Sequence, residues 1–241
     1  MNLIRILPQK DPSKLYYKKV KLHYRLKGSK MQYCRSSIGE ECPVCEFIER
    51  LPKTDSRSVE VYRRLKPVRR YLMNIVPLDE EKRVVLYLAP QTVFMDISSI
   101  IFDPDYGDVT DPVKGRNLVI EKIVPGGDRG RTEYKVRAKP NVSPVDSGLL
   151  EHVVDLEGFV RDRVISYEAM EAMLRDGGDD EDVMVYYSSF AERMDSVGGV
   201  TDRSPKIDMG EDVKPALSVR SSDKVVEESD LQRKIKDLFL K

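Results

Sequence analysis

Cysteine and histidine are concentrated in one short part of this 241-residue chain. All three cysteines and one of the two histidines lie within 23 positions, at His23, Cys34, Cys42 and Cys45. Cys42 and Cys45 frame the sequence Cys-Pro-Val-Cys, a tight knuckle in which two thiolates can reach one metal ion. The number, type and spacing of these ligands predict one structural Zn²⁺ ion with tetrahedral Cys₃His coordination.

Other interpretations of the cysteines fit less well. Free cysteines buried as small core residues would be scattered along the chain rather than clustered. An odd number does not suit a disulfide framework, and the absence of a secretory signal favours a reducing compartment. Zinc-dependent nucleic-acid deaminases share the Pro-Cys-x-x-Cys motif but need a glutamate two residues after the histidine, where this chain has Arg25. Four protein ligands also leave no open position for catalysis.

The formal net charge of zero is the average of two different parts of the chain. Residues 1–140 carry 28 Lys and Arg against 18 Asp and Glu, whereas residues 141–241 carry 13 against 23. This split favours a basic face for nucleic acid joined to an acidic appendage, with two unremarkable surfaces as the alternative. No stretch approaches 18 apolar residues, so we expect no membrane span.

The first 140 residues have the alternation and turn signals of short strands. The candidate strands are 2–7, 16–26, 31–34, 71–77, 83–88, 117–124 and 132–138, with helical spacing at 46–51 and 90–101. Short strands with one intervening helix predict a mainly β fold, a zinc-stabilised OB-fold (oligonucleotide-binding) barrel with a zinc ribbon. We assign the core to residues 1–140.

The character of the sequence changes after Pro140. Two short helices are predicted at 149–160 and 166–175, in a helical extension (141–175) that packs on or near the core. Residues 176–226 are acidic and lack periodicity, which predicts a flexible linker. Residues 227–241 predict an amphipathic C-terminal helix, which either packs on the protein's own core or binds a partner.

Residues 62–71 combine five cations with a tyrosine at each end, and Lys18, Lys19 and Lys21 add positive charge near the zinc ligands. A single strand of nucleic acid exposes both its phosphates and its base faces. Cations in a groove follow the phosphates, and each base stacked on an aromatic ring contributes about 1–3 kcal/mol. The pattern therefore favours single-strand binding over a solvated basic strand with two core tyrosines.

Several segments, in the same order, resemble the single-stranded DNA-binding proteins of T-even-type bacteriophages. Residues 4–8 are similar to the opening strand of that family, and the His-Cys-Cys-Cys set is similar to its zinc ribbon. Residues 71–75, Tyr-Leu-Met-Asn-Ile, resemble its Tyr-Trp-Ala-Asn-Ile strand, and residues 108–117 resemble a later loop and strand. The resemblance covers roughly residues 2–160.

The resemblance implies a non-enzymatic protein that binds single-stranded DNA with little sequence preference in replication, recombination and repair. It implies the cytoplasm of the infected bacterial host as location, and replication or recombination proteins as partners of the acidic or C-terminal region. The family has a basic N-terminal arm that mediates cooperativity, whereas this chain begins almost at the opening strand, so the resemblance leaves self-association open. The nucleic-acid contacts that the resemblance implies are Tyr62, Arg63, Arg64, Lys66, Arg69, Arg70, Tyr71 and Tyr87. The predicted contacts also include Arg5 and, from their charge near the zinc ligands, Lys18, Lys19 and Lys21.

Three other functions remain open from the residues alone. A zinc-dependent nuclease or deaminase would need a carboxylate base, for which Glu40, Glu41 and Glu46 are near in sequence. A zinc-ribbon protein-interaction module of a replication or transcription complex would not bind single strands. A single-stranded RNA binder is the third, because stacking on tyrosines does not distinguish RNA from DNA.

Overall fold

The computed structural model describes residues 2–26, 29–52, 54–78, 82–124 and 132–176, together with Val183 and Tyr187. Seven strands in these residues form one antiparallel sheet, in the order β3-β2-β4-β1-β6-β7, with β5 paired to the other side of β4. This confirms the predicted mainly β fold class. The strands are β1 (Asn2–Ile6), β2 (Tyr17–Tyr24), β3 (Met31–Tyr33), β4 (Val68–Pro77), β5 (Val85–Pro90), β6 (Arg116–Ile123) and β7 (Glu133–Val142).

The predicted helices at 90–101 and 166–175 correspond to α3 (Gln91–Phe102) and α6 (Tyr167–Arg175). The predicted helix at 149–160 is instead two helices, α4 and α5, and α2 was not predicted. No helix of the described residues is long and apolar enough to cross a lipid bilayer. The helices are α1 (Pro43–Glu49), α2 (Ser56–Leu65), α3 (Gln91–Phe102), α4 (Ser147–Glu151), α5 (Leu156–Arg161) and α6 (Tyr167–Arg175), with a 3-10 helix at Arg35–Ile38.

One face of the sheet wraps around α3. Side chains alternate along a strand, so the odd-numbered residues of β4 point to this inner face. Tyr71, Met73 and Ile75 pack there against apolar residues of α3 such as Phe94 and Ile97. Helix α3 contacts β4 and β5 as well as β7, at the far end of the sheet order, so the sheet curls around the helix as a barrel wall does.

The opposite face of β4 is covered by the segment that contains α5. Leu72 packs there with Leu156 and Val160 in a second apolar cluster. Asn74 is fully buried, and its amide exchanges two hydrogen bonds with the backbone of Val154. Its Nδ2 donates to the Val154 carbonyl at 2.9 Å, and the Val154 amide donates to its Oδ1 at 3.1 Å. A single side chain therefore joins the helical extension to the central strand as a paired strand would.

The packed part of the chain extends beyond the predicted boundary at residue 175. Val183 and Tyr187 fall in the predicted linker, yet both are buried in an apolar cluster with residues of α1 and α6. The side chains of these two residues complete that cluster, and the linker boundaries themselves stay a prediction. The rest of the predicted linker and the C-terminal helix at 227–241 lie outside the described residues.

We expect Asn74→Ala to lower the free energy of unfolding by about 1–3 kcal/mol, because the Val154 amide and carbonyl would lose their partner in a half-buried site. Urea denaturation followed by circular dichroism measures this loss. Asn2→Ala is the matched control, since Asn2 is exposed in β1, and it should change stability by less than about 0.5 kcal/mol. Equal stability of the two variants would contradict this role of Asn74.

Candidate metal centre and nucleic-acid interface

Four side chains from three elements converge on one point. His23 comes from β2, Cys34 directly follows β3, and Cys42 and Cys45 lie at the start of α1. Pro43 occupies the first turn of α1, where its missing N–H costs nothing, and this helix start brings both knuckle thiols to the same side. The structure thus brings together all four predicted metal ligands.

The ligand atoms have the separations that a tetrahedral metal site requires. All four lie within 4.8 Å of one another. The Cys34 and Cys45 sulfurs are 3.6 Å apart, and His23 Nε2 is 3.4 Å from Cys42 Sγ and 3.7 Å from Cys45 Sγ. With Zn–S bonds of about 2.3 Å, neighbouring sulfurs of a tetrahedron are about 3.8 Å apart. The four donors are therefore gathered closely enough to hold one metal ion.

The orientation of the His23 ring is fixed from outside the cluster. Its Nδ1 lies 2.8 Å from the carbonyl oxygen of Leu65, the last residue of α2. A carbonyl can only accept a hydrogen bond, so Nδ1 carries the proton and Nε2 faces the thiols. Burial lowers the pKa of His23, but the nearby Cys34 and Cys42 outweigh burial and raise the pKa to about 9. A bound metal ion would take the place of the proton on Nε2, because a coordinated imidazole has no proton on its ligating nitrogen.

The row of side chains along β2 connects the cluster to a basic surface. Tyr17, Lys19, Lys21 and His23 alternate with Lys18, Val20 and Leu22, so these four residues point to the same side of the sheet. In the register with β4, Lys19 is opposite Tyr71 and Lys21 is opposite Arg69. One face therefore carries, in order along β2, an aromatic residue, two cations and a metal ligand, with a third cation, Arg69, opposite Lys21. We call Tyr17, Lys19, Lys21 and Arg69 the β2–β4 row.

Two residues that were predicted to contact DNA, Arg5 and Tyr71, are buried. Arg5 is only 2% exposed, and its guanidinium donates to the carbonyls of Val109, Asp111 and Arg116. A Cβ on Gly115 would overlap this guanidinium, so the loop closes tightly around Arg5 and leaves no approach for a phosphate. The charge of Arg5 therefore serves the fold.

Tyr71 is the second correction. Its ring stacks on Phe94 with centroids 3.6 Å apart and planes within 2°, and the residue is 7% exposed. Because α3 already covers that ring, no base can stack on the side that faces Phe94. Tyr71 supports the inner face instead.

The remaining predicted contacts lie on different surfaces. Lys18 points to the opposite side of β2 and pairs with Glu157 of α5 at 2.9 Å, which lowers the pKa of Glu157 and keeps that carboxylate charged at neutral pH. Arg70 also points to that opposite side. Tyr62, Arg63 and Lys66 are exposed at the end of α2, and Arg64 is half-buried there.

Tyr87 is half-buried on β5, opposite Met73 and thus on the inner face. Burial and then the neighbouring Tyr134 of β7 raise the pKa of Tyr87, and both side chains pack against the same apolar cluster of the inner face. Sequence reasoning missed Tyr134 and Tyr17 as candidate aromatics of this face. The alternation of Tyr17 with Lys19 and Lys21 could have predicted that Tyr17 lies on this face. The position of Tyr134 near Tyr87 could not be predicted, because it depends on how the sheet curls.

Comparison with known protein families agrees with this geometry. Residues 1–176 match the family model described as gp32 DNA binding protein like. No curated protein matches the chain significantly. The matched range covers well over half of the 241 residues and includes every strand and helix named above. The chain therefore belongs to the family of gp32-like DNA-binding proteins, as its resemblance to the T-even phage proteins indicated.

Proposed function

We propose that the protein binds single-stranded DNA with little sequence preference and catalyses no reaction. The observation that carries this proposal is the β2–β4 row, which sets three cations beside the half-buried Tyr17, on the face that also carries the half-buried Tyr87. Cations attract the phosphates of any sequence, and tyrosine faces accept any base, so this combination gives affinity without base readout. A duplex hides its base faces, so the same surface prefers unpaired strands and shifts the melting equilibrium by mass action.

We propose zinc as the metal. Three thiolates and one imidazole in tetrahedral spacing suit Zn²⁺, whose structural sites use this ligand type. When bound, the ion supplies a rigid link between β2, the loop after β3 and α1. His23 also connects this centre to α2, because its Nδ1 holds the end of that helix through Leu65. The exposed cations Arg63 and Lys66 at the end of α2 are thereby kept next to the β2–β4 row.

The nearby carboxylates support a non-catalytic centre. Glu46 accepts a hydrogen bond from the Tyr167 hydroxyl at 3.0 Å, and Glu40 is paired with Arg35. Both of these candidate bases therefore already have a structural partner. A metal with four protein ligands has no position for a water molecule, which a hydrolytic site requires.

The biological setting follows from the resemblance rather than from the geometry. We propose roles in DNA replication, recombination and repair in the cytoplasm of an infected bacterium, with protein partners recruited by the acidic or C-terminal region. A specific feature also favours the protein-interaction alternative. A mostly apolar groove of about 240 Å³ lies between α1 and α2, lined by Ile48, Leu51, Pro52, Ser58, Val59 and Tyr62.

We expect Lys21→Ala to weaken binding to oligo-dT and to reduce the steepness of its salt dependence. Each phosphate contact on a single strand contributes about 0.7 to the slope of log K against log salt, so the slope should fall by about that amount. Fluorescence titration across a salt series measures both quantities. Lys114→Ala is the matched control, because Lys114 is exposed in a turn remote in sequence from the row. Identical slopes for the two variants would remove the row from the DNA path.

We expect Tyr87→Leu to cost about 1–3 kcal/mol of binding free energy, since leucine keeps apolar bulk but has no ring on which a base can stack. The control is Tyr106→Leu, a half-buried tyrosine in the turn after α3. The same titration with a duplex and with oligo-rU tests strand and sugar preference. Unchanged affinity for oligo-dT in the Tyr87 variant would exclude stacking at this position.

We expect the wild-type protein to hold one zinc ion and His23→Asn to lose it under mild chelation. His152→Asn is the matched control, because His152 is the only other histidine and is exposed. Metal analysis by plasma emission and the absorption spectrum of the cobalt-substituted protein report the coordination. Metal-free protein should also unfold at lower temperature and bind oligo-dT more weakly, with both properties restored by zinc. Retention of zinc by the His23 variant with unchanged affinity would contradict the ligand set.

A further inference from the structure

Helix α6 lies directly over the metal cluster. Met170 is fully buried, and its Sδ is 3.6 Å from Cys42 Sγ. Leu174, one turn further along α6, is buried in the same apolar cluster as Cys34 and Cys42. A thioether carries no charge and accepts hydrogen bonds only weakly, so Met170 excludes water from the Cys42 sulfur without competing for a proton. On this side the metal centre is sealed by a side chain that comes from more than 120 residues away in sequence.

Polar contacts hold the start of α6 against the metal-binding segment. Arg35, directly after Cys34, donates from Nη1 to the carbonyl of Ile165 at 2.7 Å. The Tyr167 hydroxyl donates to Glu46, which directly follows Cys45 on α1. Both contacts connect α6 to a residue next to a ligand, so α6 and the cluster are held in one arrangement.

Tyr187 holds the other side of α6. Its hydroxyl is 3.1 Å from Glu171 Oε1, and its ring centroid is 5.7 Å from that of Phe47 on α1. Tyr187 therefore bridges α6 and α1 from outside the helix. It lies beyond residue 176, where the match to the family ends, so this bridge belongs to a part of the chain that the family match does not cover.

We propose that α6 is a lid over the metal centre and that Tyr187 keeps the lid closed. Loss of the metal requires water or a competing ligand to reach the thiolates. On the Met170 side, that access requires local opening of α6 away from α1. Cys45 is half-buried, in contrast to the buried Cys34 and Cys42, and marks the more open side. The rate of metal release is then set by α6 and Tyr187, and a partner that draws Tyr187 away would speed the release. This inference rests on the metal site proposed above.

The test uses the full-length, zinc-loaded protein and follows zinc transfer to an excess of a coloured chelator. Met170→Ala and Tyr187→Ala should each release zinc at least about tenfold faster than wild type. Each variant removes a contact that holds α6 over the cluster, so local opening of α6 becomes more frequent. Met173→Ala is the matched control, because Met173 lies on the same helix and packs against the same cluster, but only partly buried. Its release rate should stay within about twofold of wild type, as for residues outside the seal.

A second readout is the alkylation of individual cysteines by iodoacetamide, measured by mass spectrometry. Opening of the lid should raise labelling of Cys42 relative to Cys45 in the Met170 and Tyr187 variants. Met170→Leu keeps most of the side-chain volume and should release zinc nearly as slowly as wild type. If Met170→Ala does not fold, Tyr187→Phe replaces it, since that variant removes only the hydroxyl that contacts Glu171. It should then show a smaller but measurable increase in release rate.

Equal release rates for the Met170, Met173 and Tyr187 variants would overturn the lid. Failure of the wild-type protein to bind zinc at all would instead overturn the proposed metal site. Oligo-dT titration of the zinc-loaded variants separates the lid from DNA binding, because α6 packs against α1 and supplies no residue to the β2–β4 row. Their affinity should therefore equal that of wild type, and a parallel loss of DNA affinity would show that α6 supports the whole fold rather than the metal centre alone.

Discussion

The imidazole of His23 connects the parts of this protein that do different work. Its Nε2 faces the three thiols, its Nδ1 is bound to the last carbonyl of α2, and its backbone belongs to the strand that carries Lys19 and Lys21. A metal ion on Nε2 therefore acts on more than a local loop. It fixes the direction of β2 relative to α1 and α2, two short helices that would be marginal in isolation. In the proposed function, a bound metal would therefore order the basic face although no metal ligand contacts DNA.

The metal ligands could be predicted from the sequence because the signal is local and chemically rare. Three cysteines in a 241-residue chain have few reasons to cluster, and the Cys-Pro-Val-Cys spacing by itself lets two thiolates reach one metal ion. The seven strands could largely be predicted as well, because alternation and turn residues are also local. Helix α2 was missed although Asp55 caps it, accepting from the amides of Arg57 and Ser58. The spacing of Ser58, Val61 and Leu65 is helical, but the dense run of cations from Arg63 onward was interpreted only as a candidate for nucleic-acid binding.

The contacts that sequence reasoning assigned wrongly share one physical cause. Arg5 and Tyr71 are of types that bind DNA, but their roles are decided by residues far along the chain. Arg5 is surrounded by carbonyls of the loop at 109–116, and Tyr71 is covered by Phe94 of α3. Nothing near Arg5 in sequence indicates that a loop more than 100 residues later closes around it. Residue type predicts what a side chain can do, whereas tertiary packing decides whether it is available.

The charge split between the two parts of the chain has a partial explanation in the packing of α5. Lys14 pairs with Asp155 at 3.0 Å, and Lys18 pairs with Glu157 at 2.9 Å, so acidic residues of the extension neutralise cations of the core. These pairs lie on the outer side of β2, whereas Lys19 and Lys21 do not share that side. Strand alternation therefore separates the lysines of one short segment into two functions. Lys18 pairs with Glu157 of α5, whereas Lys19 and Lys21 lie on the opposite face of β2, which is the face proposed for DNA. The pairs with Lys14 and Lys18 are partly exposed and each contributes little to stability, so their main effect is to keep acidic charge off the face proposed for DNA.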